Sequence, residues 1–251
     1  MHLVEGSCMV LGRRATYAGA TDVGRVRQCN EDSLLLLPEA GVFAVADGLG
    51  GLDAGDLASS IALARLHDLC RADIEDGSDP ATRLHTMVAA VNLHTYEQRV
   101  ALGKNMATTL ALVRFTGQAA LVAHVGDSRI YRWRDQHLTR ITSDHSLVNE
   151  LCDQGTLTED QARNSPQRHV ITRAIGAGPE VCPSIRPLSL AAGDLLLLCT
   201  DGLHGMVTDE ALATLFESEG ADSSRLAEQL VTVANRAGGH DNITVIVLAL
   251  Q

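Results

Sequence analysis

The sequence predicts one α+β domain built on mostly antiparallel sheet, and three observations carry that reading. Strand-like runs come in groups and helices in pairs, without the strict alternation of a parallel α/β fold. Connections inside the central group of strands are too short for parallel crossovers, so neighbours there should be antiparallel. The chain has 251 residues, 45% of them hydrophobic, which is enough for one large core, and no linker divides it.

The elements follow in order. ATYAGA (15–20), DSLLLLP (32–38) and GVFAVAD (41–47) read as strands, each bounded by glycine, proline or polar residues. From 54 to 70 the period changes: Leu57, Ala58, Ile61, Ala62, Leu66 and Leu69 recur at helical spacing. Pro80 is placed to open a second helix, continued by Leu84, Val88 and Val91, and the polar stretch 71–83 is short enough to join the two. TTLALVRF (108–115), QAALVAHVGD (118–127) and RIYRWR (129–134) read as a meander. Residues 143–180 read as short helices and loop, with a helix start at Thr158 to Asp160. GDLLLLCTDG (193–202) reads as a buried strand, 208–217 and 222–237 as amphipathic helices, and NITVIVLAL (242–250) as the last strand.

Acidic residues outnumber basic ones 31 to 20, and the net charge of −11 argues against a protein that grips nucleic acid through its general field. The apolar runs SLLLLP and DLLLLCT are too short to span a bilayer. Six cysteines show neither CxxC pairs nor zinc spacing, and Cys70 and Cys199 lie in apolar runs as packed thiols. With no signal-peptide order in MHLVEGSCMVLGRR, the expectation is a reducing cytoplasm.

Three apolar runs stop on a carboxylate: VFAVADG on Asp47, LVAHVGDSR on Asp127 and LLLLCTDG on Asp201. A fourth, Asp241 of GGHDNITVIV, stands where a strand begins. Any one alone is explained by a turn, since Asp-Gly and Asp-Asn favour turns. Strand ends of one sandwich, however, collect at one edge. Two like charges about 4 Å apart cost about 4 kcal/mol at an effective dielectric near 20, against a fold stability of about 5–15 kcal/mol. Cations would relieve that repulsion, and an all-oxygen set points to Mg²⁺ or Mn²⁺ before zinc. Gly48 would let a backbone carbonyl approach such an ion.

TDVGRVRQCNEDS (21–33), VADGLGG (45–51), ATTL (107–110), VGDSRIY (125–131), CTDGL (199–203) and GHDNITVIV (239–247) together resemble the bacterial PP2C-type (PPM) metal-dependent serine/threonine phosphatases, in order and spacing. The resemblance covers residue 15 to the C-terminus and implies a single domain over 1–251: a four-layer α-β-β-α sandwich, two antiparallel sheets flanked by helices, with a two-metal site at one edge. It implies that Asp47 bridges the two ions, the Gly48 carbonyl binds one, and Asp201 and Asp241 bind the other. Glu31 and Asp32 would act through metal-bound water, Asp127 with Asp201 would hold a third ion, and Arg27 would hold the substrate phosphate. Residues 143–180 correspond to the family's mobile flap. The implied reaction is attack of a metal-bridging hydroxide on the phosphorus of a phosphoserine or phosphothreonine, without a phosphoenzyme.

The implied partners are phosphorylated proteins and a cognate bacterial serine/threonine kinase or its substrates, with the phosphatase a monomer. One departure stands out: relatives commonly read DGMGGH where this chain has DGLGGL, so Leu49 replaces a methionine and Leu52 a histidine. That leaves a metal-bound water as proton donor to the leaving alcohol, with His145 or His169 of the flap region as substitutes. Arg13, Arg14, Arg25 and Arg27 gather near the first strands, as a phosphopeptide attractor or an ordinary charged edge, and Tyr131 and Trp133 read as core.

Two other readings stand beside this one. A catalytically weak regulatory or binding module on the same fold would be marked by loss of Asp47, Asp201 or Asp241, and all three are present. A haloacid-dehalogenase-type phosphatase needs a DxD after an early strand and βαβ alternation, and this chain has neither.

Overall fold

The structure, a computed structural model, describes residues 1–50, 54–72, 77–117, 119–163 and 165–251. The chain enters through β1 (His2–Val10), β2 (Arg13–Asp22), β3 (Asp32–Leu37) and β4 (Val42–Leu49), then forms helices α1 (Gly55–Ala72) and α2 (Pro80–Leu102). The central strands are β5 (Ala107–Thr108), β6 (Leu110–Thr116), β7 (Ala119–Val125), β8 (Arg129–Arg134) and β9 (His137–Arg140). Short helices α3 (Leu147–Asp153) and α4 (Glu159–Arg163) lead to β10 (Ser184–Leu188) and β11 (Leu195–Cys199). The chain closes with α5 (Asp201–His204), α6 (Asp209–Glu219), α7 (Ser223–Arg236) and β12 (Ile243–Leu250).

Two antiparallel sheets result, one ordered β1-β2-β12-β11-β8-β9 and the other β10-β7-β6-β4-β3, with β5 on β4. The two-residue period of each strand divides its side chains between layers. On β12, Ile243, Val245, Val247 and Ala249 pack under α6 and α7, while Ile246 and Leu248 face the other sheet. On β4, Ala44 and Ala46 pack under α1 and α2, while Phe43 and Val45 point between the sheets. The layers are therefore α-β-β-α, as the resemblance implied. Helix α2 begins where Pro80 foretold, with the Asp79 carboxylate accepting from the Thr82 amide at 3.0 Å.

The structure departs from the sequence reading at five places. β1 was not anticipated: its residues are mostly exposed, so no apolar run marks it, and its pairing with β2 along the whole length makes it an edge strand. The meander breaks after β7, because β8 pairs with β11 in the opposite sheet. Gly126, at φ +98°, turns the chain there, with no room for a side chain against Thr109. β10 carries Pro187, which is tolerated because β10 lies at a sheet edge. β4 does not stop on Asp47 but runs to Leu49, held by β5 through the Gly48–Thr108 pairing. Finally, the four arginines do not gather. Arg13 and Arg14 start the ten-residue β2 while Arg25 and Arg27 follow its far end, a separation of roughly 30 Å at about 3.3 Å per residue.

Phe43 occupies the middle of the inter-sheet layer, fully buried, with its ring 5.3 Å from that of Tyr17 and 6.1 Å from that of Phe115. Phe43→Ala should lower unfolding free energy by about 3–5 kcal/mol in urea titrations, and an unchanged midpoint would contradict this packing.

Candidate metal centre

Strand parity aims the site. Asp47 shares the inter-sheet face of Phe43 and Val45, one step beyond them at the mouth of the sandwich. Asp32 is its direct partner across the β3–β4 ladder, on the face that Leu34 and Leu36 continue. From the opposite sheet, Asp201 follows β11 and Asp241 precedes β12, two strands that are themselves paired. Asp127 follows β7 at the crossover. The five carboxylates thus come to one edge, and the electrostatics show that they feel one another.

Burial is the first cause in each perturbed case. It pushes Asp47 well above the usual carboxylate value, with the charges of Asp201, Asp32, Asp127 and Asp241 adding to it. Asp32 rises to about 7 through burial, opposed by hydrogen bonds from Thr200 and Thr244, with Asp201 and Asp241 raising it further. Asp127 also rises to about 7, through burial and then the charges of Asp201 and Asp144. Asp201 is raised by burial and by Asp241, and its carboxyl lies within hydrogen-bond reach of that of Asp47. Glu31 is raised by burial, with Arg27 opposing. Arg27 itself donates from Nη2 to Asp241 Oδ2 at 2.7 Å, and the other Asp241 oxygen accepts the Asn242 amide at 2.9 Å.

Gly48 lies where nothing larger fits: a Cβ there would meet the Gly55 oxygen at 2.1 Å and the Glu31 oxygen at 2.5 Å. Leu52 lies outside the described residues. His145 is buried and stacked on His124 at 4.5 Å; its Nδ1 accepts the Gly126 amide at 3.2 Å and its Nε2 lies 2.9 Å from Ser184 Oγ. Burial holds it down to about 4, and its ring nitrogens are engaged by Gly126, Ser184 and Arg173, not by any of the five carboxylates. His169 is exposed and close enough for its charge to favour the Asp201 carboxylate.

Several residues that position the site were quoted in motifs but given no role. Asn242 is buried; its Oδ1 accepts the Glu31 amide at 2.8 Å, and its Nδ2 donates to the Val23 and Cys29 oxygens at 3.0 and 2.9 Å. It ties loop 23–31 to the start of β12. Thr200 Oγ1 donates to Asp32 Oδ2 at 2.8 Å. The Asp47 amide donates to Thr109 Oγ1, and its oxygen accepts from Thr108 Oγ1, both at 2.9 Å. Asn30 Oδ1 accepts the Asp32 amide at 3.2 Å in a local turn. A signal existed for these: polar residues inside otherwise apolar strand ends need buried partners.

The donor set fits hard divalent cations, because it is buried, all-oxygen and mutually repulsive. Among the described residues no three His, Cys, Asp or Glu side chains lie close enough together to hold an ion alone. Mg²⁺ typically keeps several waters beside one or two carboxylates.

Comparison with known proteins places this arrangement. The Protein phosphatase 2C family profile matches residues 23–236, and the chain belongs to that family. It is 40% identical over 235 residues to the serine/threonine protein phosphatase PstP of Mycobacterium tuberculosis, covering 92% of this chain but only 44% of that protein's length. It is 36% identical over 240 residues to the protein phosphatase PhpP of Streptococcus pneumoniae, covering 92% of this chain and 96% of that one. Among solved structures, the catalytic domain of a PstP in complex with two manganese ions matches with a TM-score of 0.82 at 35% identity, covering 94% of this chain and 98% of that one.

The raised Asp127 value has a thermodynamic consequence. Folded Asp127 keeps its proton where the unfolded chain has lost it, so its contribution to stability declines as pH rises from the ordinary 3.8 to about 7. In chelator, Asp127→Asn should match the parent near the low end of that window and melt progressively higher than the parent toward its top. Parallel melting curves across the window would show that Asp127 is not under this repulsion.

Proposed function

We propose that the chain is a Mn²⁺- or Mg²⁺-dependent phosphatase that hydrolyses phosphoserine and phosphothreonine in proteins. One observation carries the reading: five carboxylates from both sheets meet at one edge, four of them with raised pKa values, and Arg27 pairs with the fifth, Asp241. The manganese-bound PstP structure and the names of PstP and PhpP support it.

In this reading Asp47, the Gly48 carbonyl, Asp201 and Asp241 would hold two ions, and Asp127 with Asp201 would hold a third. Glu31 and Asp32 act through water. When bound, the ions supply Lewis acidity and lower the pKa of water. The chain's residues do the rest. Thr200 and Asn30 hold Asp32 in place, Thr108 and Thr109 hold the backbone of Asp47, and Asn242 positions the loop bearing Arg27. Arg27, whose planar fork suits a phosphoryl group, holds the substrate's oxygens as charge builds on them.

Residues 143–180 act as a flap: Leu147 donates to the Val170 oxygen and Thr172 to the His145 oxygen, closing this segment beside Asp127. The proposed setting is a single domain over 1–251, monomeric and cytoplasmic, which the six free thiols favour. It acts on the protein substrates of a cognate serine/threonine kinase. No helix among the described residues is long and apolar enough to cross a membrane.

Hydrolysis of an aryl phosphate and a phosphothreonine peptide should require Mn²⁺ or Mg²⁺ and stop with chelator. Asp47→Asn should lower kcat by at least about 100-fold, since the Lewis-acid contribution is worth several kcal/mol; activity that survives either change would overturn the metal mechanism. Arg27→Ala should raise KM by about tenfold or more, the range of a charge-assisted hydrogen bond. An unchanged KM would remove Arg27 from the phosphate site.

A further inference from the structure

The loop between β2 and β3 carries a second arginine that the proposed reaction does not use. Its first residues, Asp22 to Arg25, are held in place. Asp22 accepts the Gly24 amide at 3.0 Å and the Asn235 side chain at 3.1 Å. The Val23 oxygen accepts from Asn242 at 3.0 Å. The Arg25 amide donates to the Gly239 oxygen at 2.7 Å. Gly24, at φ +82°, is wedged so closely that a Cβ would meet the Asp241 oxygen at 2.3 Å. The stem of Arg25 lies over Gly239, where a Cβ would meet its Cγ at 2.9 Å. Such a turn presents its side chains without the ordering cost of a mobile loop.

It presents Arg25, Val26, Arg27 and Gln28 to solvent, with Val26 60% exposed. Arg27 is paired to Asp241, as Arg129 is to Asp144 and Arg134 to Asp194. Arg25 has no carboxylate partner among the described residues, although the chain has a net charge of −11. A cation held rigidly at the rim of an acidic site, two residues from the phosphate-binding candidate, complements an anion on the substrate. We propose that Arg25 selects phosphoproteins with a second anionic group, a carboxylate or a second phosphate, close in sequence to the phosphoresidue. Val26 gives the intervening peptide an apolar contact. Arg25 and Arg27 stand two residues apart, a backbone span of at most about 7 Å, so the proposal puts the anion in the peptide positions flanking the phosphoresidue. This inference rests on the phosphatase reading.

The test compares phosphothreonine peptides identical except at one flanking position, which is Asn, Asp or phosphoserine, with an aryl phosphate as reference and Mn²⁺ present. The parent should favour the two anionic peptides by about two- to fivefold in kcat/KM, the range of an exposed ion pair, mainly through KM. High salt should shrink that preference. Arg25→Gln should bring the ratio to one, Arg25→Glu should invert it, and Arg25→Lys should keep part of it. A preference confined to the doubly phosphorylated peptide supports the proposal and assigns the anion as phosphate; one shared by the Asp peptide assigns it as general negative charge. Equal rates on all three peptides alongside normal aryl phosphate turnover would overturn the proposal and leave the phosphatase reading standing. A preference that Arg25→Gln leaves intact would also overturn it. No turnover of any substrate would overturn both.

Discussion

Negative charge gathered into a partly dry edge is the constraint on which the rest of this structure depends. Asp32 and Asp127 are buried and Asp47 and Asp201 half-buried, and burial, with the charge of neighbouring aspartates, raises the proton affinity of all four. Only a stiff scaffold can hold like charges together at that cost. The scaffold here is two six-stranded layers with an apolar inter-sheet filling and helices on both outer faces. The polar residues that face the cluster are committed to holding it: Thr200 on Asp32, Thr108 and Thr109 on the Asp47 backbone, and Asn242 between three loop carbonyl and amide groups.

The same edge is asymmetric. From one sheet, β3, β4 and the β7 crossover bring Asp32, Asp47 and Asp127. The opposite sheet brings Asp201 and Asp241, and the arginine loop lies against the start of β12, where Arg27 pairs with the adjacent Asp241. An oxyanion with a positive partner on one side and a cation-demanding cluster on the other would meet complementary charge in two directions, as a phosphate monoester requires.

Much of this was legible along the chain. The runs leading to Asp47, Asp127 and Asp201 were read correctly as strands, although β4 continues two residues past Asp47, because apolar runs bounded by Asp-Gly or Asp-Ser steps are local signals. Local signals fail where a strand is stabilised by its neighbour instead of by its own apolar content. β1 has one half-exposed face, β10 contains a proline, and the last residues of β4 are held by a two-residue partner. The roles of Asn242 and Thr200 were hidden for a related reason: a side-chain hydrogen bond across 168 or more residues leaves no periodic trace.

The sequence by itself determined the fold class, the helix boundaries at Pro80 and the residue types of the acidic centre, since these follow from periodicity, turn chemistry and motif order. Tertiary structure alone decided which residues share a space. It put β8 in the sheet opposite β7, and so brought the carboxylates of both sheets to one edge. It separated Arg13 and Arg14 from Arg25 and Arg27 by the length of β2, and it stacked His145 on His124, its ring nitrogens engaged by Gly126, Ser184 and Arg173. Proximity in a sandwich is set by strand order and register across long stretches of chain, and neither is encoded in the spacing of neighbouring residues.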